Sequence, residues 1–318
     1  MPPMNTSFFR PPIVVWEGDA FPSALPRIEG MTSLPEKGKT KFLFSEEQTE
    51  AHSVFFQFQK PASSELSFSC LPKTHRLLFF RSESLDSSDI SLHFDLQEQA
   101  HLILAFSFFD APNTKQRLRL SASLGKDTSF SLIFFHLSQS EFFGDFSVIQ
   151  KENHSESFLS YTGIGAQHAT SDIRLQNVLE GKGCRSNTYT TSVLSGSAFS
   201  RIQGIPVVKP YAENGECLLD QKNMLLSDRA RSESVPMLSI GNNRIRAAHR
   251  SSTVRLAEED FFYCASRGIS RKDAEYLLLD GLLESPLSHI PDSGIQKCIR
   301  ENVHHFLHHH ATTSPYSS

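Results

Sequence analysis

One property of this chain limits what it can fold into more than any other. From residue 76 to residue 208, no stretch with a helical period interrupts a succession of short β-like runs. They read HRLLFFRSE, ISLHFDLQEQAHLILAFSFF, QRLRLSASLG, TSFSLIFFHLS, GDFSVIQKEN, ESFLSYTGIG, SDIRLQNVLEGKG, SNTYTTSVL and SAFSRIQGIPVV. Each run alternates or is apolar, and each is bounded by Gly, Asn, Asp or Ser. Many short strands with regular turn signals imply a sandwich, a barrel or a β-solenoid. The spacing between runs drifts, so no exact repeat is visible. Small polar residues on outward positions, with Phe, Leu and Ile inward, suit a coiled solenoid. They suit a sandwich nearly as well, and the pattern alone does not choose.

The composition supplies the core such a fold needs. Of 318 residues, 39% are apolar, with 26 Phe and a single Trp. The net charge of −4 and the pI near 6.4 do not give the basic surface that nucleic-acid binding requires. No apolar run reaches bilayer-spanning length; HLILAFSFFDA breaks at Asp110. The opening MPPMNTSFFRPP lacks a basic n-region followed by an apolar h-region, so no secretory signal is expected. Cys70, Cys184, Cys217, Cys264 and Cys298 are odd in number, scattered and without a CxxC pair. That excludes a disulfide framework and a four-thiolate metal site, and it points to reduced thiols in the cytoplasm.

Three regions follow. Residues 1–75 are an irregular, mixed segment. Pro and Gly dominate as far as residue 40, with a short extended piece at IVVWEG. SEEQTEAHSVFFQFQK then opens like a helix capped by Ser45 and turns β-like at VFFQFQ. Residues 76–255 are the β body. Residues 256–318 are helical. LAEEDFFYCASRGI has acids first and Gly268 where a C′ glycine belongs. SRKDAEYLLLDGLL starts with Ser270 as N-cap and Asp273 in the capping-box position, and it sets Leu277, Leu278 and Leu282 on one face. DSGIQKCIRENVHHFLHHH is a third helix, capped by Asp292 or Ser293.

Catalytic signatures are lacking. There is no P-loop, no GxGxxG opening a helix, no HExxH and no GxSxG. Gly163 and Gly165 in TGIGAQ read as a turn between strands. His304 with His308, and His305 with His309, are i, i+4 pairs able to chelate a divalent ion. No carboxylate or cysteine completes either set, so they read as a solvated terminal helix. His249 lies in IGNNRIRAAHRSSTVRL, a period-2 strand pattern following the turn residues Asn242 and Asn243. By itself a lone strand histidine is a structural residue.

A resemblance changes that reading. From Lys222 to Leu283 the sequence resembles the SufB/SufD family, the paired scaffolds of the Suf iron–sulfur cluster assembly machinery. Leu226, Ser227, Asp228 and Ala230 stand where the family carries Leu-Ser-Asp-Lys-Ala, and Pro236 follows at the family's spacing. His249 falls on the family histidine without a gap. Glu258, Glu259, Phe262, Tyr263, Ser266, Arg267, Gly268 and Ile269 match in the same register. The departures are as informative. Ala247 replaces the family's cysteine before the histidine, Asn243 and Arg244 stand around its acidic pair, and Arg250 replaces its glycine. The missing thiolate favours the SufD side of the pair. Against the family the sequence is short at its N-terminal end.

The resemblance implies an all-β core, a right-handed parallel β-helix, with helical segments at the C-terminus. It implies pairing with a SufB-like scaffold through the ends of the two solenoids, a homodimer when alone, and a SufC-like ATPase docked on the C-terminal helices through Leu277, Leu278 and Leu282. It implies that His249 gives an imidazole nitrogen to a transient iron–sulfur cluster shared with the partner, none being held stably by the isolated chain. The alternative is an architectural solenoid subunit with no cluster ligand. Neither reading makes the chain an enzyme, since a β-helix lyase would need clustered acids and a base, and no such cluster is visible.

Overall fold

The computed structural model describes residues 13–16, 31–36, 39–44, 53–58, 63–84, 86–255 and 258–311. Successive strands alternate between two sheets that face each other. Sheet I runs, in spatial order, β1 (Ile13–Trp16), β4 (Ser53–Phe58), β6 (His75–Ser84), β8 (His101–Asp110), β10 (Ser129–Ser138), β12 (Glu156–Gly165), β14 (Arg185–Leu194), β16 (Gly215–Leu225) and β19 (Ile245–Arg255). Sheet II runs β2 (Met31–Glu36), β3 (Lys39–Phe44), β5 (Ser63–Cys70), β7 (Ser88–Leu96), β9 (Lys115–Leu124), β11 (Glu141–Gln150), β13 (Thr170–Leu179), β15 (Phe199–Val208) and β17 (Arg231–Pro236), with β18 (Ser239–Ile240) also on β15. Every ladder is parallel except β2 with β3. The fold is therefore a parallel β-solenoid, one of the architectures the pattern left open, and not a face-packed antiparallel sandwich. The parallel ladders continue upstream of residue 76, through β5, β4 and β3. The expected helix start at Ser45 lies outside the described residues, and Ser53–Phe58 is a strand.

Register explains why no repeat was visible. Ser53 lies opposite Leu77, 24 residues on, whereas Arg185 lies opposite Glu216, 31 residues on. The coils lengthen at their corners while the strands stay matched. At one corner the chain passes through the left-handed region once per coil, at Lys73, Gln99, Asp127, His154, Gly183 and Asn214. The N–H of each donates to a carbonyl of the next coil, ending with Asn214 to Arg244 at 2.7 Å. Corner backbone is thus satisfied along the stack, as buried amides require.

Alternation puts one set of side chains inside. On β7, Ile90, Leu92, Phe94 and Leu96 are buried, and on β9, Leu118, Leu120, Ala122 and Leu124. The phenylalanines stack coil on coil. Phe42, Phe68 and Phe94 are in register with centroids 4.9 and 4.8 Å apart. Phe80 and Phe106 stack at 4.7 Å, and Phe134 and Tyr161 continue the column. Ring spacing equals strand spacing because parallel strands lie 4.7–4.9 Å apart.

A polar chain crosses this interior. His136 Nε2 meets Asp110 Oδ2 at 3.0 Å, and its Nδ1 meets the Tyr161 hydroxyl at 3.2 Å. Ser138 and the Gln139 amide complete the carboxylate's partners at 2.9 and 2.8 Å. Burial pushes the Tyr161 phenol above its usual range, so it stays protonated. Gly163 and Gly165, expected in a turn, lie inside β12. An added Cβ at Gly163 would sit 2.6 Å from the Tyr161 oxygen, so this glycine is the space the phenol occupies.

Strands β8, β10 and β12 are buried on both faces because α2 (Arg271–Leu287) and α3 (Ser293–Phe306) fold back over sheet I. Leu77, Phe79, Ala105, Ile133, Phe135, Leu137, Ile164 and Val193 form one core with Leu279, Leu283, Leu287, Ile295, Ile299, Val303 and Phe306. Phe306 meets Phe109 edge-on, and Asn302 Nδ2 donates to Ser107 at 3.3 Å. The caps are local. Ser270 accepts from the Asp273 N–H at 3.1 Å, and Asp292 from the Ile295 N–H at 3.0 Å. Before them, α1 (Glu258–Ser266) ends at Gly268, φ +78°, in the C′ position its sequence marks.

Candidate functional site at the open end of the solenoid

Burial fades at one end of the stack. On β15 and β16 every second residue is buried, on β17 none is, and β19 is exposed along almost its whole length. Among the described residues no strand pairs with the outer edge of β19. An edge of this kind offers a row of unpaired N–H and C=O groups to another strand.

His249 stands on this edge strand, in register with Leu219. Its Nε2 lies 3.2 Å from Gln221 Oε1. Gln221 is buried, and its Nε2 donates to the Ile202 carbonyl at 3.4 Å, which turns the amide oxygen toward the imidazole. An amide oxygen only accepts, so in the neutral ring this contact assigns the proton to Nε2 and leaves the lone pair on Nδ1. A ligating histidine is commonly oriented in this way through its other nitrogen. Gln221 was missed by sequence reasoning. The signal was its position, one coil earlier and in the same inward phase.

The surroundings are small and polar. Asn223 Nδ2 donates to Ser234 at 3.0 Å and Thr253 at 3.3 Å, tying β16 to the last strands of both sheets. Cys217 lies opposite Ala247, one coil below the position where the resemblance expects a thiol. It is buried, and burial pushes its thiol up to about 11. Among the described residues no group of three His, Cys, Asp or Glu side chains is placed to hold a metal ion. Among the described residues of β16 to β19, His249 is the one imidazole.

The helical surface divides the three leucines. Leu277 is 60% exposed and Leu278 39%, whereas Leu282 leans on the core shared with sheet I. Phe262, 77% exposed, and Tyr263, 62% exposed, stand on neighbouring α1. This aromatic pair was not singled out for partner binding, although two adjacent aromatics on an acidic helix are an unusual surface. In the His-rich tail, His304 Nε2 contacts Asp280 Oδ1 at 2.8 Å, and Arg300 reaches the same oxygen at 2.8 Å. Desolvation alone would raise the Asp280 carboxyl, but the bonds from His304 and Arg300 outweigh it and hold it below the usual range. His304 therefore joins α3 to α2.

Residues 80–282, from β6 into α2, match the family model described as "SUF system FeS cluster assembly, SufBD core domain". The chain belongs to the SufBD family. Its relatives in that family include the iron–sulfur cluster assembly SufBD family protein slr0074 of Synechocystis sp., 30% identical over 111 residues, or 35% of this chain and 23% of the relative. The SufD protein of Bacillus subtilis is 27% identical over 134 residues, 42% of this chain and 31% of its own. The SufBD family protein slr0076 of Synechocystis sp. is 26% identical over 180 residues, 56% and 40%. The matched part thus spans about a quarter to two-fifths of the length of these SufBD relatives. Membership ties the chain to iron–sulfur cluster assembly. No helix among its described residues is long and apolar enough to cross a membrane.

Proposed function

We propose that this chain is a SufD-like scaffold subunit of an iron–sulfur cluster assembly complex. It pairs with a SufB-like scaffold through the open end of the solenoid and anchors a SufC-like ATPase on α1 and α2. It lends His249 to a nascent cluster shared with that partner. It acts in the cytoplasm with its thiols reduced, and it catalyses no reaction of its own. The observation that carries this reading is the unpaired β19 edge, bearing an imidazole whose tautomer Gln221 sets for Nδ1 ligation. One imidazole cannot hold a cluster, so the remaining ligands come from the partner.

A second reading, an architectural half that pairs and anchors without ligating, is favoured by one observation: the thiol in register with Ala247, Cys217, is buried, and its pKa is raised by that burial. His249→Ala separates the two. The substitution is at an exposed edge and is expected to change stability by less than ~0.5 kcal/mol. Under the ligand reading, the complex reassembled with the SufB-like and SufC-like chains keeps its stoichiometry and loses iron and sulfide per complex after reconstitution. Normal cluster yield in that complex makes the architectural reading the correct one. For the ATPase contact, the paired change Phe262→Asp with Leu277→Asp should abolish co-purification with the SufC-like chain without lowering Tm. Unchanged recovery moves the contact elsewhere.

A further inference from the structure

The outer face of sheet I carries charge that changes sign from coil to coil. Strand β12 contributes Glu156 alone, β14 contributes Arg185 alone, and β16 contributes Glu216, Asp220 and Lys222. Glu156, Arg185, Glu216 and Arg246 are successive partners in register. Arg185 lies 3.2 Å from Glu156 and 3.9 Å from Glu216, and Arg246 lies 3.4 Å from Glu216. A second column at the corner runs Lys182, Glu213, Arg244, with contacts of 3.5 and 3.2 Å. In these two columns Arg185, Glu216 and Glu213 each have an opposite charge on the coil below and on the coil above.

The alternation stops at the open edge. Residues 239–255 hold Arg244, Arg246, Arg250 and Arg255 and no carboxylate. Arg246, with its side chain 88% exposed, has an acid below it, and among the described residues no strand lies above. Arg250 likewise lies over Asp220 in register. We infer that the strand that completes this edge is acidic, belongs to a different protein, and carries two carboxylates on its outward face four residues apart. That is the spacing of Glu216, which pairs with Arg246 from the other side, and Asp220, which stands in register with Arg250. The inference rests on the proposed pairing of the open end and names the chemistry that selects the partner.

A second copy, the homodimer that the resemblance implies, meets this edge less well in the register centred on Ala248. Laid antiparallel on itself about Ala248, β19 sets Arg246 against Arg250 of the copy, twice. Like charges directly opposite across a ladder are destabilising. Exposed ion pairs add little affinity each, but complementary and repulsive placements decide which partner is accepted.

The test uses the full chain, its R246E/R250E variant, and the SufB-like scaffold as probe, followed by sedimentation velocity at 50 and 500 mM NaCl. An equimolar mixture of the two forms of this chain should associate at least tenfold more tightly at low salt than either form alone, and high salt should remove the difference. Equal association of all three samples, at whatever level, overturns the inference, as does wild-type self-association through β19 that weakens with salt. With the SufB-like chain, binding should fall at least tenfold both at high salt and in R246E/R250E, and R246K/R250K should retain it. Pairing that ignores reversal and salt overturns the acidic edge but leaves the pairing intact. Absence of any pairing by the wild-type chain sinks the pairing instead, while the mixture still reports on the charge code.

Discussion

At the residue scale, the interior of the solenoid holds polar groups that a hydrocarbon column does not need, and one set of them forms a chain through three coils. Asp110, His136 and Tyr161 occupy consecutive coils and satisfy each other's polar atoms while fully buried. Such a network is stabilising only while complete. Gly163 is its least obvious member, because its missing side chain is where the phenol sits. Gly163→Ala should therefore cost about 1–3 kcal/mol by overpacking. Tyr161→Phe should cost about 1–3 kcal/mol by leaving His136 Nδ1 unpaired. Since the nearest clash of the new methyl is with the hydroxyl, the double variant should lose less than the sum. A thermodynamic cycle from denaturant melts measures this, and strict additivity would show that the glycine serves something else. The histidine at 249 obeys the opposite logic. It is exposed, its ring is oriented by a buried amide, and none of the core depends on it.

At the scale of elements, α2 serves two surfaces. Leu279, Leu283 and Leu287 point into the core under sheet I, and Leu277 and Leu278 point away. Leu283→Ala should cost about 2–5 kcal/mol as a core truncation. Leu277→Ala should leave Tm within the range of a surface change and act only on partner binding. Equal effects of the two would mean that the helix sits differently. The join of α2 to α3 also depends on pH. The folded state holds Asp280 below its ordinary carboxylate range, so its contribution is present above the unfolded pKa and is lost as pH falls through the folded one. Burial lowers His305 and His310, with neighbouring histidines adding to it, so protonation favours unfolding of the last turn. That contribution is present above the unfolded histidine pKa and declines as pH falls below it. Protection factors for amide exchange in 293–311, which remove the intrinsic slowing of exchange in acid, should fall from pH 7 toward acid before those in β10 do, and a parallel fall in both would contradict this. The sequence named Ser270 and the glycine after α1 correctly and narrowed the α3 cap to Asp292 or Ser293, of which Asp292 is the cap, because caps are local. It grouped Leu282 with Leu277 and Leu278, because helical periodicity defines a face without saying what meets it.

At the scale of the whole molecule, the helices and the solenoid are one body. The outer face of sheet I presents Phe79, Ile133, Phe135, Leu137 and Val193 to the helices, and each side chain of this kind contributes about 1.5–3 kcal/mol when covered. A chain ending at Arg255 should keep its parallel strands by far-ultraviolet circular dichroism but bind hydrophobic dyes and self-associate. A monomeric, dye-silent truncation would mean that the helices form an independent unit. Solenoid stability is a sum over neighbouring coils, so the open coil that carries β17 and β19 is also the least supported.

The unbroken series of short alternating runs, the cap residues of the C-terminal segment, and a sixty-residue motif around His249 were properties of the sequence alone, because side-chain period and local chemistry are written residue by residue. They determined that the chain is β, that it ends in capped helices, and to which family it is similar. Pairing was another matter. Whether runs 24 residues apart in one place and 31 in another stack in parallel depends on long-range register, which corners of differing length conceal. Only the tertiary structure decided that Gly163 yields its space to Tyr161, that Gln221 orients His249, and that charges from four separate strands line up and end unbalanced on arginine. Each of these is a contact between residues on different strands, so it exists only once the coils are stacked.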